Sequence, residues 1–306
     1  MVHDIRRSGL PRLILAGTAT LFAAPAWAHA GHSHAASNWL GEPWVVALLA
    51  ISIALYATGV VRLWRQAHVG AGITRVRALA FVGGWAILLI ALCSPVDALA
   101  EELFSVHMIQ HELLMVAAAP LLVLGRPLAT WIWALPMRAR VAAGGWTHTS
   151  VVRTPWEVIT HPLGAFIIHA AALWLWHVPS LFDAALANDG IHALQHASFL
   201  FSALLFWWAV LAPADVRMRD GVSILYLFGT MLHTGALGAL LTVSTNAWYP
   251  GATSSASGLS AIEDQQIGGL IMWIPAGTVY VAAALWLMAR WLAGSGARNA
   301  RYASIT

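Results

Sequence analysis

The chain divides into long apolar runs separated by short polar ones. Seven of these runs fall near 43–64, 76–94, 105–125, 160–178, 190–212, 222–243 and 266–289. Each is about 19 to 24 residues long, enough to cross a hydrocarbon core of about 30 Å as a helix. The pattern predicts an all-α fold class, a polytopic membrane protein with seven transmembrane helices. The stretch 127–136 is also apolar, but it is short and bounded by Pro127 and Pro136. It reads as a re-entrant or interfacial piece. The segment 244–265, rich in Ser, Gly and Ala, is the longest loop on its side.

A shorter apolar run, Leu13 to Ala24, precedes the seven. Arg6, Arg7 and Arg12 stand before or at its start, and Ala26-Trp27-Ala28 follows it. A basic region, a short apolar core and a small-x-small site together predict a signal peptide over residues 1–28. The predicted organisation continues with a His-rich periplasmic tail over 29–42. A seven-helix transmembrane domain covers 43–291 and a cytoplasmic tail 292–306.

Composition agrees with a membrane class. Hydrophobic residues make up 59% of the 306 and charged residues 9%, against about 25% charged in a soluble domain. An ordinary soluble enzyme, a disordered chain and a nucleic-acid binder are excluded. The net charge of +3 comes from sixteen basic residues, all of them Arg. Their placement reads as topology. With residue 29 outside, alternate loops are cytoplasmic, and these hold thirteen Arg, from Arg62 to Arg301. The opposite loops hold no Arg. They carry Glu42, Asp97, Glu101, Glu102, Asp183, Asp189, Glu263 and Asp264. This split follows the positive-inside rule and predicts an outer amino end and a cytoplasmic carboxyl end. Trp39, Trp44, Trp64, Trp174, Trp176, Trp248 and Trp291 fall near span ends, as an aromatic belt does. The single cysteine permits no intrachain disulfide.

Fourteen His against thirteen acids is the unusual ratio. His107 and His111 stand at the outer end of the third span, spaced i, i+4 on one helix face. His192 and His196 repeat that spacing at the outer end of the fifth. His177 closes the fourth span at the same depth, before Pro179. Five imidazoles from three helices at one depth can serve one metal, or two metals. Neutral imidazole suits copper and zinc, and iron in haem. The bland reading of any one of them is an interfacial polar side chain.

Other residues stand near the five. Cys93 would select Cu(I) as a thiolate, although a lone Cys is usually a small buried hydrophobe. Met115 is placed one turn below His111. Asp97 and Asp183 are loop acids that would orient an imidazole or cap a helix. Glu112 is an intramembrane carboxylate and a functional candidate on that ground. His169 lies about 12 Å deeper than His177, and His233 is near the centre of the sixth span. They form a second tier, read as a relay, an inner metal stop or plain interhelical hydrogen bonds. In the amino tail, His29, His32 and His34 are a weaker metal-binding group.

Four motifs carry a resemblance. They are His107-Met108-Ile109-Gln110-His111-Glu112-Leu113-Leu114-Met115 with Ala119-Pro120-Leu121-Leu122, and His177-Val178-Pro179 with Phe182-Asp183-Ala184-Ala185-Leu186. His192-Ala193-Leu194-Gln195-His196 and Asp264-Gln265-Gln266-Ile267-Gly268-Gly269-Leu270-Ile271-Met272-Trp273 complete the set. In this order they resemble the cytochrome c oxidase assembly factor CtaG family, the bacterial seven-helix integral membrane type, over about residues 40–290. The resemblance implies a non-enzymatic factor in the bacterial inner membrane that serves haem-copper oxidase assembly. It implies copper, as Cu(I) or Cu(II), held at the periplasmic face by the five His. By motif match it also brings Asp183 and Asp264 into the candidate set. The partners it implies are haem-copper oxidase subunits, periplasmic copper chaperones and the lipid bilayer, with no nucleic acid. The alternatives are a haem b-binding membrane electron carrier and a copper permease that uses His169 and His233.

Overall fold

A computed structural model describes residues 42–66, 68–212, 218, 220–253 and 257–303, with side chains up to residue 293 except at 220. The predicted signal peptide and the tail histidines His29, His32 and His34 lie outside the described residues. No strand occurs among the described residues, so the chain is an all-α polytopic membrane protein. Its spans begin with α1 (Pro43–Gln66) and α2 (Arg75–Leu92). The third is a composite of α4 (Phe104–Glu112), a π-helical segment Leu113–Ala118, and α5 (Ala119–Gly125). A short helix, α3 (Pro95–Glu102), precedes it, and α6 (Pro127–Ala134), α7 (Met137–Thr147) and α8 (Ser150–Thr160) follow it. Then come α9 (Pro162–Trp176), α10 (Pro179–Ala187), α11 (Asp189–Leu211), α12 (Asp220–Val243) and α13 (Ala261–Ala303). The last of these continues as helix through residues 292–303, predicted from the sequence as a tail.

Among the described residues, six helices are long and apolar enough to cross a membrane, and the bent pair α8 and α9 makes a seventh where the two are counted as one broken span. The two meet at 69° about His161. Pro162 is the reason: the residue before a proline is pushed out of the helical region, and His161 is extended at φ −60° and ψ 135°. The predicted fourth span, 160–178, is therefore a 15-residue helix plus an angled approach.

The stretch 127–136 also has a definite place. Its helix α6 lies against α1. Trp131 Nε1 donates to Ser52 O at 3.1 Å, and Arg62 donates to Ala134 O. A Cβ on Gly59 would stand 2.0 Å from Thr130 O, so only glycine allows this approach. At the other side of the bundle, α12 and α13 cross through Gly238 and Gly269. A Cβ on either would meet the other's carbonyl within 2.8 Å.

The π-helical segment runs into Pro120. In the wider i→i+5 pattern, residue 120 would donate to Met115 O, but residue 120 is proline and has no N–H. The indole Nε1 of Trp207, on α11, donates to Met115 O instead, at 2.9 Å. The widened turns shift the register below His111. Met115 consequently packs in the apolar core with Leu114, Val116 and Phe199.

Candidate metal centre

The start of α4, the end of α9, the start of α11 and the loop between α12 and α13 meet at one end of the bundle. They bring together the five His predicted from spacing. Ring centroids of His107 and His111 are 4.4 Å apart, and those of His192 and His196 are 4.2 Å apart. Across the helices, His107 is 5.2 Å from His192 and 5.9 Å from His196. His111 is 5.4 Å from His196 and 6.4 Å from His177. His107, His111, His177 and His196 are buried, and His192 is half-buried at the rim.

The hydrogen bonds of two rings fix their tautomers. His107 Nδ1 meets Ala100 O at 3.3 Å, and His177 Nδ1 meets Leu173 O at 2.6 Å. A carbonyl only accepts, so both protons sit on Nδ1 and both Nε2 atoms carry a lone pair. Those Nε2 atoms are buried without a hydrogen-bond partner, as are Nε2 of His192 and His196 and both ring nitrogens of His111. An unpartnered buried polar atom costs about 1–3 kcal/mol, so the arrangement is expensive unless the lone pairs serve a ligand. One ligand nitrogen from each of His107, His192 and His196 lies within 4.8 Å of the others. That donor set fits a shared metal ion of the kind imidazole prefers.

The helix that presents His107 and His111 is held from outside itself. Leu103 at its N-cap offers no side-chain acceptor. Asp264 of α13 fills the role: its carboxylate accepts from Phe104 N at 2.7 Å and Ser105 N at 3.0 Å, and from Thr253 Oγ1 at 2.8 Å. The negative charge stands at the positive end of α4. Gln265 accepts from Trp248 N at 2.6 Å and donates to Leu241 O and Asn246 O. The Asp264-Gln265 pair thus clamps both α4 and the loop over the site. A Cβ on Gly268 would strike the Phe104 ring at 2.5 Å, so glycine is required for α13 to lie there.

Aromatic rings close the site above and below. Phe104, Phe182 and Tyr249 stack on one another at 4.5 to 5.4 Å, and Phe182 reaches His107 at 5.1 Å. Tyr249 OH donates to His177 O at 2.6 Å. On the inner side, Phe199 faces His111 at 4.5 Å and His177 at 6.2 Å. Tyr249 and Gln265 carry no spacing signal of their own, and reading the sequence missed them. Phe182 and Gln265 do stand inside two of the motifs.

The remaining candidates have other places. Asp97 accepts from Gln110 Nε2 at 2.6 Å, while that amide also donates to Ala91 O at 2.7 Å. Gln110 therefore ties α4 to α3 through Asp97 and to α2 through Ala91. Burial raises the pKa of Asp97, the Gln110 bond opposes this, and the Glu42 charge adds to the rise. Asp183 is exposed on α10. Cys93 caps the end of α2 and packs beside the apolar core, with its thiol pKa pushed up by burial. Glu112 ends α4 at the N-cap of the π-helical segment, and its Oε2 is buried without a partner. His169 Nδ1 bonds Ser202 Oγ at 3.1 Å and its ring stacks on Phe206 at 5.2 Å. His233 stands edge-on to Phe166 at 5.4 Å.

Comparison with known proteins gives the same answer as the motifs. The family model described as cytochrome c oxidase caa3 assembly factor matches residues 54–294. An uncharacterized protein of Mycobacterium bovis is 31% identical over 211 residues, which is 64% of this chain and 31% of that protein. An uncharacterized protein of Mycobacterium leprae is 28% identical over 256 residues, 77% of this chain and 37% of that protein. The chain thus spans about a third of the length of the curated relatives it matches. No solved structure matches it.

Proposed function

The chain belongs to the cytochrome c oxidase caa3 assembly factor family, and from that premise we propose that it is a copper-holding factor without catalytic activity. It sits in the bacterial inner membrane with its His cluster at the periplasmic face. It passes the ion to an apo-oxidase subunit. The observation that carries this reading is the trio His107, His192 and His196, with ligand nitrogens within 4.8 Å of one another. The Arg-free loops at the same end support the orientation.

Copper is cargo here, so the site must both hold and release it. His107 and His177 are pre-aimed through their Nδ1–H bonds to Ala100 O and Leu173 O. The aromatic layers keep water from the buried rings. His192 is the ring nearest solvent, and an incoming His or Cys of a partner displaces it first. Copper then moves by ligand exchange without becoming a free ion in water. Periplasmic copper chaperones load the site in the same way. The packing supports an ion over haem: Phe182 and Phe199 touch the rings where a macrocycle would need open space. Against a permease, Phe199 stands on α11 between the cluster and Ser202, the partner of His169, and an apolar step there leaves a cation undersolvated.

Deletion of the gene tests the reading. Oxidase activity should fall while total cell copper stays normal, and added periplasmic copper should restore part of the activity. Unaltered oxidase activity with changed cytoplasmic copper would sink it. For orientation, a reporter active only in the periplasm should work when fused after Asn188 and stay silent after Asp220.

A further inference from the structure

The ligand nitrogens of His107, His192 and His196 converge within 4.8 Å, and among the described residues no such group of three includes His111 or His177. A metal bound through Nε2 lies about 3.2 Å from the ring centroid, given a metal–nitrogen bond of about 2.0–2.1 Å. Two rings sharing an ion then have centroids about 5.2 Å apart at a tetrahedral angle and about 6.4 Å apart when the ion lies in line between them. His107 and His192, at 5.2 Å, match the first value. His111 and His177, at 6.4 Å, match the second. Within the cluster, the ring contact of His177 is to His111.

We infer that the cluster offers two overlapping metal positions: an outer one of three imidazoles, His107, His192 and His196, and an inner, nearly linear one between His111 and His177 that takes Cu(I). This rests on the copper-holding reading above and deepens it. Three further observations support it. His177 already points its Nε2 lone pair, because its Nδ1 proton is fixed on Leu173 O at 2.6 Å. His111 is 1% exposed with both ring nitrogens unpartnered, and His177 is 4% exposed. Phe199 covers both rings, so an ion here sheds all its water. Born desolvation rises with the square of charge, so a monovalent ion faces about a quarter of the cost of a divalent one. Zn²⁺ also asks for four ligands, which two rings do not supply. Cu(I), a filled-shell monovalent ion, accepts two ligands in line. His196 stands 5.4 Å from His111 and 5.9 Å from His107, so it can serve either position and passes the ion between them.

The test is an anaerobic titration of the purified full chain with Cu(I) alone against a colorimetric chelator, followed by metal analysis and X-ray absorption. The wild-type chain should bind two Cu(I), and Zn²⁺ alone should load to one. His111→Ala with His177→Ala should leave one Cu(I) with about three nitrogens. His107→Ala with His192→Ala should leave one with two nitrogens and the pre-edge feature of linear Cu(I). Saturation of the wild type at one copper would overturn the inner position and leave the copper-holding reading standing. No copper at all in the wild type would overturn both. The wild-type count needs no variant to fold.

Discussion

The cluster at the end of the bundle and the deeper pair, His169 and His233, use the same side chain in the same membrane protein. In the cluster, His107 uses Nδ1 on a carbonyl of α3 and His177 on a carbonyl of its own helix, and both leave Nε2 without a hydrogen-bond partner among other imidazoles. In the deeper pair, Ser202 Oγ gives its own proton to Phe199 O and accepts from His169 Nδ1. His169 is thereby an interhelical tie, and its ring lies on Phe206. His233 meets the edge of Phe166 and keeps both ring nitrogens without a partner, so what sets it apart from the cluster is the absence of converging imidazoles, not a spent nitrogen. A buried histidine becomes a metal ligand when its lone pair is left over and others converge on it. One whose nitrogen is spent on a neighbouring helix holds the bundle together.

That contrast can be broken by substitution. The largest effect is expected for His107→Ala with His111→Ala, which should lower bound copper at least tenfold while the protein stays in the membrane. Full retention of metal would erase the distinction between the two regions. Asp264→Ala removes no ligand, yet it strips the cap from α4 and leaves two buried N–H groups unpaired. Thermal unfolding should report a loss of about 2–4 kcal/mol, and copper affinity should fall with it. An unchanged melting temperature would show that α4 is held by other means. Tyr249→Phe deletes one hydrogen bond to His177 O and should cost about 1 kcal/mol. Copper should then leave a few-fold faster in a chelator chase, since the layer over the site loosens.

Asp97 gives a smaller, pH-dependent effect. Its folded pKa is raised, so the folded protein holds that proton more tightly than the unfolded chain does. The stability this contributes is present below the ordinary carboxylate pKa and is lost as pH rises through the folded value. Asp97→Asn keeps an acceptor for Gln110 and should flatten this step in melting temperature as pH rises above the ordinary carboxylate range. A step of undiminished size would assign it to another group. The smallest effect on copper is expected from His169→Phe with His233→Phe. Occupancy should stay within about twofold of wild type, with a stability loss of about 1 kcal/mol from the Ser202 bond. A loss of copper equal to that of the cluster variants would make the two tiers one pathway.

Much of this was legible along the chain. Span boundaries at 43–64, 105–125 and 190–212 agree with helices at 43–66, 104–125 and 189–211, because length and hydrophobicity are local properties that a bilayer reads directly. The i, i+4 pairs were legible for the same reason, since helix geometry fixes which residues share a face. The break at His161 was not taken from the sequence, although Pro162 is its cause. The place of Met115 was missed because the register change depends on Pro120 and on Trp207, a partner 92 residues away.

By itself, then, the sequence determined the class, the spans, the uneven placement of Arg and the presence of five histidines at one depth. Periodicity and the cost of charge in lipid suffice for these. Only the tertiary structure decided which ring nitrogens of those histidines are left without a partner. It also assigned Asp264 to the end of α4, and made Tyr249 and Phe182 a cover over the rings. Each of these depends on a contact between distant segments, and a donor or acceptor has no assigned role until the partner that satisfies it is in place.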